Sequence, residues 1–208
     1  KYKIKDINLL FDYIKKLNLF GIEISPIQDK KEFLELLKIV KKTSPKNILE
    51  IGTAMGGSLF LFTRVAPKNS KIISIDLPGG PYGGGYPKWK IPIYKSFLKN
   101  GQKIFLIRSD SHKKSTYKKV KKILKGNYID FLFIDGDHTY EGVKKDFLMY
   151  RKLVKKGIIA FHDISEHDPD KKCYVKKFWD EIKYQYKYKE IINNSLKKWG
   201  GIGIIFIN

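Results

Sequence analysis

The feature that most constrains this chain is an alternation of short, β-branched apolar runs with longer amphipathic ones. Runs rich in Ile and Phe without polar interruption read as strands buried on both faces. Segments of helical period between them supply the crossovers of βαβ units and a parallel sheet. Strand-like runs fall at Asn47–Ile51, Lys71–Ile75, Lys103–Ile107, Tyr128–Ile134 and Gly157–Phe161. Helical spacing fills Gly57–Val65 and the spans near 91–100, 113–125, 140–153 and 174–186. Two last runs, Lys189–Ile192 and Gly203–Ile207, follow each other with no helix between, which predicts an antiparallel hairpin at one sheet edge. The expected class is α/β: a mostly parallel seven-stranded sheet with an antiparallel last strand and helices on both faces. Residues Ile7–Leu17 and Lys31–Lys42 also carry helical spacing and precede the first strand. They predict an N-terminal helical cap over 1–46, placed on a main domain spanning 47–208, the whole forming one compact unit.

Composition narrows the functional classes. Hydrophobic residues make up 42% of 208, enough for a substantial core and too many for wholesale disorder. No apolar run reaches membrane-span length, and the charged start Lys1–Asp6 leads into an amphipathic stretch, so a cytoplasmic protein without a membrane span is expected. Cys173 is the one cysteine, which excludes an internal disulfide and reads as an inert small side chain. The formal charge of +21 suggests polyanion binding. Yet Arg64, Arg108 and Arg151 are the only arginines among 42 basic residues. Arginine reads phosphate and guanine better than lysine does, so a nucleic-acid partner is left open and not favoured.

In open α/β sheets, ligands sit beyond the carboxyl ends of the strands. The first of these ends carries Glu50, Gly52, Thr53, Ala54, Gly56 and Ser58. Ala54 breaks the G-x-G-x-x-G dinucleotide fingerprint, and no lysine follows Gly57 as a P-loop requires. Asp76 ends the second strand, where a carboxylate can accept hydrogen bonds from both hydroxyls of an adenosine ribose. Asp110 and Ser111 follow the third strand, Asp135, Asp137 and His138 the fourth, and His162 and Asp163 the fifth. Two carboxylates and a histidine on adjacent strand ends would repel unless a cation sits among them; the alternative is that Asp163 caps a loop and His162 packs against Trp179 or Tyr140. His138 is a candidate general base or a surface histidine at a helix start. His112 and His167 lack partners in the pattern.

The E-x-G-x-x-x-G form at Glu50–Gly56 resembles the first S-adenosylmethionine (SAM) motif of class I methyltransferases. The ordered set Asp76–Tyr86, Phe133–Val143, Phe161–Asp163, Phe178–Trp179 and Gly200–Gly203 resembles the metal-dependent O-methyltransferases, including cephalosporin hydroxylase-like proteins, over roughly residues 47 to 207. That resemblance implies a Rossmann-like methyltransferase fold that binds SAM through Glu50, Gly52, Thr53, Ala54, Gly56, Ser58, Asp76, Asp110, Ser111, Asp135 and Asp137. It further implies a divalent cation, Mg²⁺ first and Mn²⁺ next, on Asp135, His162 and Asp163. His162 departs from the carboxylate common in relatives, which softens the site or makes His162 a base. His138 or His162 would take the proton of a small-molecule hydroxyl acceptor. The segment holding Tyr82, Tyr86, Trp89 and the glycines between 79 and 85 reads as a loop able to close over that acceptor. An RNA or DNA methyltransferase, a nicotinamide oxidoreductase and a non-enzymatic interaction protein stay as alternatives. The N-terminal helices offer a surface for pairing subunits.

Overall fold

The computed structural model describes residues 6–19, 21–80, 85–99, 101–195 and 198–208. Asp6 caps helix α1 (Ile7–Lys16) by accepting from the Asn8 N–H at 2.8 Å, and Lys15 and Lys16 complement the dipole in the last turn. A small hairpin of β1 (Asn18–Leu19) and β2 (Ile22–Glu23) follows; Asn18 Oδ1 accepts from the Gly21 N–H at 2.7 Å. Asp29 then caps helix α2 (Lys30–Thr43), accepting from the Glu32 N–H at 3.1 Å.

The apolar runs become β3 (Asn47–Ile51), β4 (Lys71–Asp76), β5 (Lys103–Arg108), β6 (Phe131–Ile134) and β7 (Gly157–His162), all mutually parallel. Strands β8 (Lys187–Ile191) and β9 (Ile202–Ile207) complete a sheet of order β5-β4-β3-β6-β7-β9-β8. Strand β9 pairs antiparallel with both neighbours, so the final strand lies one place in from the edge and β8 forms the border. The crossovers are α3 (Gly57–Val65), α4 (Ile91–Lys95), α5 (Lys114–Leu124), α6 (Tyr140–Tyr150) and α7 (Val175–Ile182).

Side chains alternate across the sheet with period two. Ile48, Phe131 and Phe133 pack with α1, α2 and α3, where the Phe33 ring meets Phe11, Phe62 and Phe133. Leu49, Ile51, Leu132 and Ile134 pack on the other face with Phe147 of α6 and Phe178 of α7. No helix among the described residues is long and apolar enough to cross a membrane.

Several boundaries differ from expectation. The fourth strand begins at Phe131 rather than Tyr128, because the Ile129 N–H donates to Leu153 and Asp130 Oδ2 accepts from the Lys46 and Asn47 N–H groups below the ladder. The helix expected near 91–100 closes at Lys95, where Ser96 Oγ turns back onto the Ile93 carbonyl at 2.6 Å; Asn100 lies outside the described residues. The helices expected over 140–153 and 174–186 each tighten into a 3₁₀ turn, at Arg151–Leu153 and Lys183–Gln185.

Candidate functional site

The strand tips open onto a cavity of about 600 Å³. Its floor is set by Gly52 at the end of β3. With φ +95°, a side chain there is strained, and a Cβ would lie 1.8 Å from the Asp135 carbonyl oxygen. Only glycine lets the first and fourth strand ends approach this closely. Asp76 ends β4 beside that turn, and its Oδ2 accepts from the Ala54 N–H at 2.8 Å. Burial pushes the Asp76 carboxyl up to about 6 against the amides that hold it. Its neighbour Ala54 takes φ 44° and is fixed by the Tyr94 hydroxyl, which donates to its carbonyl at 3.0 Å.

Glu50 stands behind this turn rather than in the cavity wall. It accepts from Ser58 Oγ at 2.6 Å and Ser74 Oγ at 2.9 Å, and Thr53 in turn hydrogen-bonds Ser74. Complete burial pushes the Glu50 carboxyl up to about 8, so it is largely neutral at pH 7 and serves the shape of the turn. Gly56 also lies behind the wall, where a Cβ would meet the Tyr94 ring at 2.7 Å. Thr53, Ala54, Ser58, Asp110, Ser111 and Asp137 reach the cavity surface. Asp137 Oδ1 accepts from the Thr139 N–H and hydroxyl at 2.9 and 2.8 Å, shaping the start of α6.

Opposite these groups lies a cluster of charge. His162 Nδ1 stands 3.3 Å from Asp135 Oδ1 and 3.2 Å from Asp163 Oδ1, and the three residues offer donor atoms within 4.8 Å of one another. Cis donors about 2.1 Å from an octahedral cation sit about 3.0 Å apart. The two carboxylates and the imidazole therefore fit a divalent cation after small adjustments. His138 bridges the same carboxylates, with Nε2 3.4 Å from Asp135 Oδ1 and Nδ1 3.4 Å from Asp163 Oδ2. Burial alone would lower both histidines; the facing carboxylates outweigh it and raise them, His162 well above its ordinary value. Asp163 adopts φ 64°, a left-handed backbone that turns its carboxylate back into the cluster.

Several participants were not legible in the pattern. Gln28 arrives from the link before α2 and donates Nε2 to Asp135 Oδ2 at 2.5 Å. That link is pressed onto α3, where a Cβ on Gly57 would lie 2.0 Å from the Pro26 nitrogen. His112 and His167, which the pattern leaves without partners, find them in the fold. His112 Nε2 lies 3.2 Å from buried Asp146, and His167 Nε2 lies 3.2 Å from Asp163 Oδ1. His162 faces Trp199, with ring centroids 6.1 Å apart. Cys173 sits in the cavity wall beside His167. Of the expected acceptor loop, Tyr82, Gly83 and Gly84 lie outside the described residues; Tyr86 is buried against Tyr94 and Trp89 is exposed.

The family model described as "Methyltransferase domain" matches residues 49–164, more than half of the chain, from the Gly52 turn to just past Asp163. The chain belongs to this methyltransferase family. Tapetum-specific methyltransferase 1 of Arabidopsis thaliana is 33% identical to the chain over 136 residues, 62% of the chain and 52% of that relative. The chain spans about half, or less, of the length of the curated relatives it matches. The fold is shared with the O-methyltransferase TomG from Streptomyces achromogenes, solved with SAM (TM-score 0.60, 13% identity, 100% of this chain and 92% of that one). It is shared also with the O-methyltransferase from Bacillus cereus, solved with SAH (TM-score 0.57, 17% identity, 99% and 92%).

Proposed function

We propose that this methyltransferase uses SAM to methylate a hydroxyl of a small molecule, with help from a divalent cation. One observation carries the reading: the Gly52–Asp76 turn and the Asp135–His162–Asp163 cluster open onto one cavity, sized for a cofactor and a small acceptor. The side-chain-free Gly52 admits a ligand to the backbone, Asp76 accepts from the ribose hydroxyls, and Asp110 and Ser111 face the adenine. The N-terminal segment 1–46 acts as a cap on 47–208, its Gln28 closing the cavity beside Asp135.

Transfer is a displacement in which the acceptor oxygen bonds the methyl carbon as the sulfonium–carbon bond breaks, giving a methyl ether and S-adenosylhomocysteine. Holding the two reactants in line supplies much of the acceleration. Asp135, His162 and Asp163 would hold a divalent cation, which when bound would supply Lewis acidity toward the acceptor hydroxyl. Mg²⁺ suits the carboxylates, and the imidazole of His162 extends the set toward Mn²⁺. His138, beside both carboxylates, takes the proton. The protein is expected to work in the cytoplasm, with self-association through its N-terminal helices as a further expectation. The test is SAM-dependent turnover on a panel of small diols with and without a chelator. Turnover indifferent to chelation removes the cation from the mechanism. Methylation of RNA or DNA in preference to every diol replaces the acceptor class.

A further inference from the structure

Next to the proposed hard-donor set lies a second cluster of different chemistry. His138, Asp163 and Cys173 each offer one donor atom, all within 4.8 Å of one another. The Asp163 carboxylate divides itself between the two sets. Oδ1 faces His162 Nδ1 at 3.2 Å, while Oδ2 faces His138 Nδ1 at 3.4 Å. The latter spacing is close to the roughly 3.3 Å that separates two donors about 2.0 Å from a tetrahedral ion. His167 braces the arrangement from behind: its Nδ1 lies 2.9 Å from the Ser165 carbonyl and its Nε2 3.2 Å from Asp163 Oδ1, and it also contacts Cys173. Such a partner holds the carboxylate in one orientation, as supporting hydrogen bonds do at metal sites. The left-handed backbone at Asp163 serves the same end. Cys173 and His167 lie beyond the matched family segment 49–164.

We infer that His138, Asp163 and Cys173 form a second cation site, selective for a thiophilic divalent ion of the Zn²⁺ class and joined to the hard-donor set through the two oxygens of Asp163. A thiolate, an imidazole and a carboxylate make a soft to borderline set. It favours Zn²⁺ over Mg²⁺ more strongly than the set of two carboxylates and one imidazole does. The thiolate and the Asp163 carboxylate together balance the ion's charge. Occupation ties up the His138 lone pair, so a thiophilic ion in this site opposes any proton transfer through His138.

The experiment titrates the metal-free protein with Co²⁺ alone, following thiolate-to-cobalt charge-transfer absorption, and then measures Zn²⁺ affinity by competition with a chromophoric chelator. These readings require no SAM and no acceptor, so their failure is distinguishable from failure of the methyl-transfer reading. The parent protein shows the charge-transfer band with one ion per chain. Cys173→Ser abolishes the band and weakens Zn²⁺ by more than about 100-fold, beyond the roughly 10–100-fold that loss of a supporting partner costs. Asp163→Asn weakens it comparably, while Asp135→Asn keeps the band. Circular dichroism of each variant checks folding, and Cys173→Ala provides a second thiol-free protein. A parent protein without the band, or Zn²⁺ affinity equal in the parent and in folded Cys173→Ser or Cys173→Ala, overturns the assignment.

Discussion

The two halves of the cavity are built from different materials. On the Gly52–Asp76 side, backbone does the shaping: a glycine admits a neighbouring carbonyl, and the Asp76 carboxylate is fixed by the Ala54 amide. On the Asp135–His162–Asp163 side, charged side chains from two strand ends meet a glutamine from the N-terminal link and the histidines His138 and His167 of the same two loops. The first half is a property of the chain trace and the second of its side chains. Substitutions in the first should therefore disturb fold and cofactor binding together, while those in the second should change chemistry and leave the cofactor half intact.

The largest expected effect breaks the backbone half. Gly52→Ala places a methyl against the Asp135 carbonyl at a strained φ, and should cost about 3 kcal/mol or more. In a chain of this size that lowers the unfolding midpoint by roughly 6–12 °C. A midpoint within a degree of the parent would show that the two strand ends are not held together as described.

A second substitution separates the halves. Asp135→Asn keeps the side chain's size but removes a charge shared by His162 and His138. Cation-dependent turnover should fall by at least about 100-fold, the scale of losing one electrostatic contributor. SAM affinity should change far less than turnover, because the altered Asp135 side chain faces His162 and His138 rather than Asp76. A parallel loss of SAM affinity would erase the distinction between the halves.

Glu50 gives a subtler test, because it belongs to the backbone half yet is titratable. Its carboxyl lies near 8 in the folded protein, against 4.5 for an ordinary glutamate. A group raised on folding contributes stability that is full below the unfolded pKa and is lost as pH rises through the folded one. Stability should therefore fall between about pH 4.5 and 8, by an amount on the order of 5 kcal/mol. Glu50→Gln should flatten that part of the curve, read as unfolding midpoints at pH 5 and pH 8. An unchanged slope would assign the pH dependence elsewhere.

The same division explains what the sequence made legible. Strands β3 to β7 and their order of polar tips follow from apolar runs of strand length, and β-branching marks them clearly. Placing Asp76, Asp135, His162 and Asp163 at one end of the sheet then requires only that these strands be parallel. Gln28, His167 and Cys173 reach the cavity through tertiary packing of loops, which no local period records. His112 is matched to Asp146 across thirty-four residues by the docking of α6, so its partner was equally hidden. Asp130 misled the strand boundary because an apolar neighbourhood masked a carboxylate that ties two amides at the sheet's lower edge.

The central claim is that Gly52 and Asp76 hold the adenosyl part of SAM. Calorimetric titration of SAM into the parent protein and Asp76→Ala tests it most directly. Loss of a charged acceptor for two ribose hydroxyls should weaken binding by about 100-fold or more, at roughly 1.5–3 kcal/mol per hydrogen bond. No heat with the parent protein, or equal affinity in the two, would contradict the account.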